Sequence, residues 1–154
     1  MLQTILIKPA SGLCNMQCDY CFYCDEAEKR KIASYGMMEI RTIENIVRKV
    51  LKQGRESVCF AFQGGEPTLR GLDFFKKVIE FERQYNIHHC HILNSLQTNG
   101  LYMDDEWCDF LKKHDFLVGI SLDGTETTHD LYRHEKNGKS TYRKVRQSIE
   151  MLQK

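Results

Sequence analysis

Four of the seven cysteines in this 154-residue chain crowd into one short stretch: Cys14, Cys18, Cys21 and Cys24. Cys14, Cys18 and Cys21 form a C-x3-C-x2-C spacing. Thiolates are the usual protein ligands of iron–sulfur clusters, and short spacings let one flexible loop wrap three corners of a cube. Three protein ligands leave the fourth iron open to a small molecule. With Cys24 the set becomes four thiolates, which also suits tetrahedral zinc. Against zinc stands the crowding, since so little chain between ligands hardly closes a tetrahedron and zinc sites more often pair two separated knuckles. Cysteines without any metal are the third reading. Cys59, Cys90 and Cys108 are scattered. Cys59 and Cys108 lie in apolar-patterned segments and read as buried small hydrophobes. An odd total with no secretory leader argues against a disulfide framework.

Three further groups are unusual in type: Gly64-Gly65-Glu66-Pro67, Gln97-Thr98-Asn99 and Ser121-Leu122-Asp123-Gly124. A glycine pair lets backbone approach a ligand closely, although any Gly-Gly-x-Pro also makes a plain turn. The histidines His88, His89 and His91 look like a metal group, but they fall between a helix and a strand, away from these segments, and read as surface residues.

The elements that must position these groups follow a regular order. Thr4–Ile7 is a short apolar run stopped by Pro9 and Gly12, a strand, and a polar, cysteine-rich stretch follows to about Met37. Ile40, Ile43, Val47, Val50 and Leu51 recur at helical spacing until Gly54. Val58–Gln63 is a second strand, and Leu72, Phe75, Val78, Ile79 and Phe81 mark a second helix. Ile92–Gln97 is a third strand; Asp104 or Asp105 caps a helix carrying Trp107, Phe110 and Leu111. Leu117–Leu122 is a fourth strand, and a last helix begins near Ser140 with Tyr142, Val145, Ile149 and Leu152. Such alternation predicts an α/β fold with a parallel sheet. Ligands in such folds gather where strand C-termini meet their loops. All the unusual groups lie there, on one rim.

Composition narrows the partners. Hydrophobic residues make up 42% and charged residues 28%, with a formal charge of +1. This is a globular balance with no field for nucleic acid. No apolar run approaches the roughly 18 to 20 residues that span a bilayer. The start, MLQTILIKPASG, has no basic leader, so a cytoplasmic location is expected, with no membrane and no nucleic acid as partner.

The cysteine spacing, followed by the aromatic Phe22 and by Gly64-Gly65-Glu66-Pro67 after the second strand, resembles the radical S-adenosylmethionine (SAM) superfamily. The longer phrases KPASGLCNMQCDYCFYCDE, FAFQGGEPTL, LQTNG and VGISLDGT resemble the anaerobic sulfatase-maturating enzymes, over essentially the whole chain. The resemblance implies a 4Fe–4S cluster on Cys14, Cys18 and Cys21, with SAM on the open iron. It implies SAM contacts from Tyr20 (adenine), Gly64, Gly65 and Glu66 (amino group), Ser121 (ribose or methionine part) and Arg133 (carboxylate). A solvated surface arginine is the plain alternative for Arg133. Tyr23, Gln63 and Gln97 are candidates for the substrate side, or else satisfy internal polar groups.

The implied fold is the first four strand–helix units of a partial (β/α)6 radical SAM barrel. Residues 1–154 then form a radical SAM core incomplete at its C-terminus, without the family's auxiliary-cluster domain. Two more units need roughly 60 residues. The family's Asp base lies beyond Lys154, so no catalytic base is expected within this chain. The implied activity is oxidation of a Cys or Ser of a sulfatase polypeptide to formylglycine, with an electron donor such as ferredoxin or flavodoxin. Another radical SAM peptide maturase, such as a thioether-forming one, and a non-catalytic metal-binding remnant are the alternatives.

Overall fold

The computed structural model describes residues 2–154. The chain opens with β1 (Leu2–Ile7), β2 (Met16–Cys18), α1 (Phe22–Lys29) and α2 (Ile40–Leu51). It continues with β3 (Ser57–Phe62), a 3-10 turn (Pro67–Arg70), α3 (Leu72–Tyr85) and β4 (His91–Thr98). The last elements are α4 (Asp105–Lys113), β5 (Phe116–Ile120), α5 (Glu126–Tyr132), β6 (Arg133–Glu135) and α6 (Tyr142–Leu152).

β1, β3, β4 and β5 form one parallel sheet in that order, which is the expected α/β layout. Its packing follows from strand alternation. Val58, Phe60 and Phe62 of β3 are buried on one face, against Ile43, Val47 and Leu51 of α2 and Phe74, Phe75 and Val78 of α3. The Phe75 ring meets Phe62 and Trp107 edge-on, at 5.1 and 5.2 Å between centroids. Truncating one such ring costs about 3–5 kcal/mol. This layer therefore holds the sheet and fixes where its strand ends lie. On the opposite face the sheet is open: Leu6, Leu93 and Leu117 are exposed, Leu117 by 75%. Asp104 provides the α4 cap, its Oδ1 accepting from the Trp107 N–H at 2.9 Å.

Three expectations need correction. The cysteine-rich stretch is not one loop, because β2 and α1 form inside it. Cys18 ends β2, Cys21 caps α1, and Cys24 lies in the first turn of α1. The segment between the fourth strand and Ser140 also carries structure, α5 and β6. β6 pairs antiparallel with β2, with Cys18 opposite Arg133. Cys59 and Cys108 are only half-buried, whereas Cys90 is buried. Cys59 points to the open face of β3, where no helix covers it.

Candidate functional site

The rim at the C-terminal ends of the strands is organised around one carboxylate. Glu66 is 1% exposed. Its Oε1 accepts from the Thr68 N–H (3.0 Å), the Thr68 hydroxyl (2.7 Å) and the Thr98 hydroxyl (2.8 Å). Its Oε2 accepts from the Asn99 N–H at 2.7 Å. Hydrogen bonds to a charged acceptor are worth about 1.5–3 kcal/mol each, and a buried carboxylate is stable only when so supplied. Glu66 thus ties the turn after β3 to the end of β4. Its own N–H donates to the Leu13 carbonyl at 2.8 Å, which brings in the cysteine loop.

Gly65 makes that last contact possible. Its φ is +55°, and a Cβ there would run into the Leu13 carbonyl oxygen and stand 3.0 Å from the Gly12 carbonyl carbon. The space freed by the glycine is filled by the cysteine loop itself. Gly64 has a φ of +100°, and a Cβ on it would meet only the flexible Lys8 side chain.

Cys14 is held from two sides. The Met16 N–H donates to its Sγ at 3.4 Å, and the Asn99 Nδ2 lies 3.6 Å from the same sulfur. Burial pushes the Cys14 thiol pKa up, and pushes that of Cys18 up to about 11, against the pull of the Arg133 guanidinium. Cys24 is likewise raised to about 11, by burial and by its contact with Cys21. Thiolates at these half-buried positions need a positive charge beside them, which an iron group would supply. Among the described residues, no three His, Cys, Asp or Glu side chains converge closely enough to hold a single metal ion.

The other half of the rim comes from β5, α5 and β6. The Tyr20 hydroxyl bonds to the Asp123 carboxylate and accepts from Arg133 Nη1 at 2.8 Å. Arg133 is 7% exposed, yet its Nε–H has no partner. An unpaired buried donor costs about 1–3 kcal/mol, so this atom is well suited to an anionic ligand group. Behind it, buried His129 accepts from the Asp123 N–H at 3.3 Å through Nδ1. His129 Nε2 faces Thr141 Oγ1 at 2.9 Å, and that hydroxyl donates to the Arg133 carbonyl at 2.8 Å. The Thr141 proton being spent, His129 must carry its hydrogen on Nε2 and is neutral. Burial, and then Arg133, lower its pKa accordingly.

Between the halves, Gln97 Nε2 donates to Ser121 Oγ at 3.2 Å. A Cβ at Gly119 would collide with the Gln97 carboxamide oxygen, so that glycine lets the side chain lie across β5. Gln63 continues the ladder past β3, its N–H donating to the Ile7 carbonyl at 3.0 Å. Tyr23 stands apart: on α1, its ring lies 4.9 Å from Lys8 Nζ. The structure therefore gathers Cys14, Glu66, Gly65 and Asn99 on one side, Cys18, Tyr20 and Arg133 with Asp123 on the other, and Gln97 with Ser121 between them. Sequence reading gave no role to Asn99 or His129. Asn99 sits in a segment already marked as unusual, whereas nothing local marks His129, whose side-chain partners Asp123 and Thr141 come from two separate segments.

The family model for the radical SAM superfamily matches residues 9–154. The cysteine-type anaerobic sulfatase-maturating enzyme of Clostridium novyi is 45% identical over 97% of this chain and 40% of its own length. The serine-type enzyme of Bacteroides thetaiotaomicron is 36% identical over 97% of this chain and 36% of its own. A solved structure described as native anSMEcpe with bound AdoMet superposes with a TM-score of 0.93 at 44% identity. It covers 99% of this chain, which covers 41% of it. The chain thus spans about two fifths of the length of the relatives it matches.

Proposed function

Because the chain belongs to the radical SAM superfamily, we propose that the intact protein matures sulfatases, oxidising a Cys or Ser of the sulfatase polypeptide to formylglycine. In this reading Cys14, Cys18 and Cys21 hold three irons of a 4Fe–4S cluster and leave the fourth to the amino and carboxylate groups of SAM. A cluster held there would supply the electron for reductive cleavage of SAM, the radical chemistry by which the target residue would be oxidised.

The chain's own residues bind and orient. Gly64, Gly65 and Glu66 form the edge nearest the amino group, and Arg133 offers its free Nε–H to an anionic oxygen of SAM. Ser121 faces the ribose or methionine part, and Tyr20 borders the adenine. Gln63 and Gln97 are assigned to the substrate side, as is Tyr23, although its ring lies against Lys8 outside the gathered rim residues. A ferredoxin or flavodoxin delivers the electron in a cytoplasmic setting. Among the described residues no helix is long and apolar enough to cross a membrane.

The observation that carries the reading is the coupling of the three-cysteine segment to the Gly64-Gly65-Glu66 rim, through Leu13 and Asn99. A solitary zinc knuckle has no need of it. The cysteine-type relatives match at 44–45% and the serine-type ones at 36–37%, so a cysteine peptide is the first substrate to try. The test is anaerobic incubation of the intact protein with SAM, a reductant and a sulfatase-derived Cys peptide, followed by aldehyde labelling. Label at the target residue is expected. Turnover of SAM with no labelled Cys or Ser peptide contradicts the proposal.

A further inference from the structure

Asn99 spends its backbone N–H and both ends of its side-chain amide at the junction of the two rim elements. Its backbone N–H goes to Glu66 Oε2 at 2.7 Å. Its side-chain oxygen accepts from the Leu101 N–H at 3.0 Å. That bond fixes which end of the amide is which, since only the oxygen can accept. The NH2 end is thereby turned toward the cysteine loop, where it meets Asn15 Oδ1 at 2.7 Å and Cys14 Sγ at 3.6 Å. Glu66 holds the backbone of Asn99 in place from beneath, and Glu66 is itself anchored by Thr68 and Thr98. A side chain pinned at three points aims one N–H at one sulfur.

We propose that Asn99 is a positioning residue that sets the reduction potential of the cluster, by donating an N–H···S hydrogen bond to Cys14. The proposal rests on the cluster reading above. Reduction adds one electron, drawn from an external reductant, and neither makes nor breaks a bond. The extra charge spreads onto the ligating sulfurs, and a donor aimed at one of them stabilises the reduced state. The bond therefore raises the potential, and with it the fraction of cluster that a given donor can reduce.

Redox titration of the reconstituted protein tests this, with iron and sulfide measured first. Asn99→Ala removes the donor and shifts the midpoint to more negative potential, by about tenfold in the reduction equilibrium, or about 59 mV for one electron. Asn99→Asp keeps the oxygen that accepts from Leu101 but turns a carboxylate toward Cys14, and shifts the midpoint further the same way. Full iron content with an unmoved or more positive midpoint in both variants overturns the proposal. For variants that lose iron, the deciding sample is protein with 15N in the side-chain amide of asparagine, in the Asn15→Ala background. A 15N coupling to the reduced cluster in pulsed electron paramagnetic resonance supports Asn99 as the donor, and its absence overturns it. If the unaltered protein takes up no iron and sulfide, the cluster reading itself fails, a result distinct from an unmoved midpoint.

Discussion

Two buried glutamates divide the molecule into a region that is fully provided for and one that is not. Glu66, at the strand-end rim, receives four hydrogen bonds from Thr68, Thr98 and Asn99. Glu82, on α3 beneath β4, receives one, from Asn94 Nδ2 at 3.1 Å. Its Oε1 and the Asn94 Oδ1 are both buried acceptors without a partner. Burial accordingly pushes the Glu82 carboxyl up to about 7. The same residue type is a structural bracket where backbone N–H groups converge at strand ends. Between a helix and a sheet face, whose backbone donors are already spent, it is a poorly solvated acid. The convergence of free N–H groups makes the rim a place where charge can be held.

Removing the bracket has the largest expected effect. Glu66→Ala leaves the N–H groups of Thr68 and Asn99 buried without an acceptor, and costs about 4 kcal/mol or more. Chemical denaturation of the protein measures this, and iron uptake falls with it because Leu13 and Asn99 lose their common anchor. A loss below 1 kcal/mol would mean that Glu66 is not the organising group. Next comes Gly65→Ala, which combines a left-handed φ with a collision against the Leu13 carbonyl. It costs about 2–4 kcal/mol and loosens the cysteine loop, seen as lower iron content per folded protein. Unchanged iron content would show that the loop reaches its place without Gly65.

Glu82 should act in the opposite sense, through pH. Its folded value lies above the unfolded one of about 4.5, so its contribution is fully present below about pH 4.5. It is lost as pH rises through about 7. The full loss is at most about 3 kcal/mol, for a carboxyl that must ionise in place. Glu82→Gln supplies its own N–H donor and should flatten the stability profile between pH 5 and 8. If the variant keeps the slope of the parent protein, another group is responsible. The smallest effect is expected at Cys24: Cys24→Ala should leave iron and sulfide content nearly unchanged, since three thiolates suffice for a cluster with one open iron. Loss of the metal on that change would favour a four-thiolate site.

How much of this was legible in the sequence depended on repetition. Val58, Phe60 and Phe62 alternate and Ile43, Val47 and Val50 recur at helical spacing, so the sheet and its covering helices could be read directly. The C-x3-C-x2-C spacing and the Gly64-Gly65 pair were equally plain. β2 and β6 are three residues each, too short for any period, and their pairing joins Cys18 to Arg133 across the chain. Among the described side chains of α1 none is buried, and Phe22 is exposed, so hydrophobic patterning gave no sign of it. The bonds that Glu66 receives from Thr98 and Asn99 depend on the register of β3 against β4. The placing of Cys59 depended on which sheet face the helices cover, and alternation alone does not say.

The central claim is that Cys14, Cys18 and Cys21 hold a 4Fe–4S cluster whose fourth iron receives SAM. The most direct measurement is electron paramagnetic resonance of the anaerobically reconstituted, dithionite-reduced protein with and without SAM, beside iron, sulfide and zinc analysis. About four irons and four sulfides, and a reduced-cluster signal that SAM reshapes, are predicted. Stoichiometric zinc without labile sulfide, or a cluster signal that saturating SAM leaves unaltered, would contradict the account.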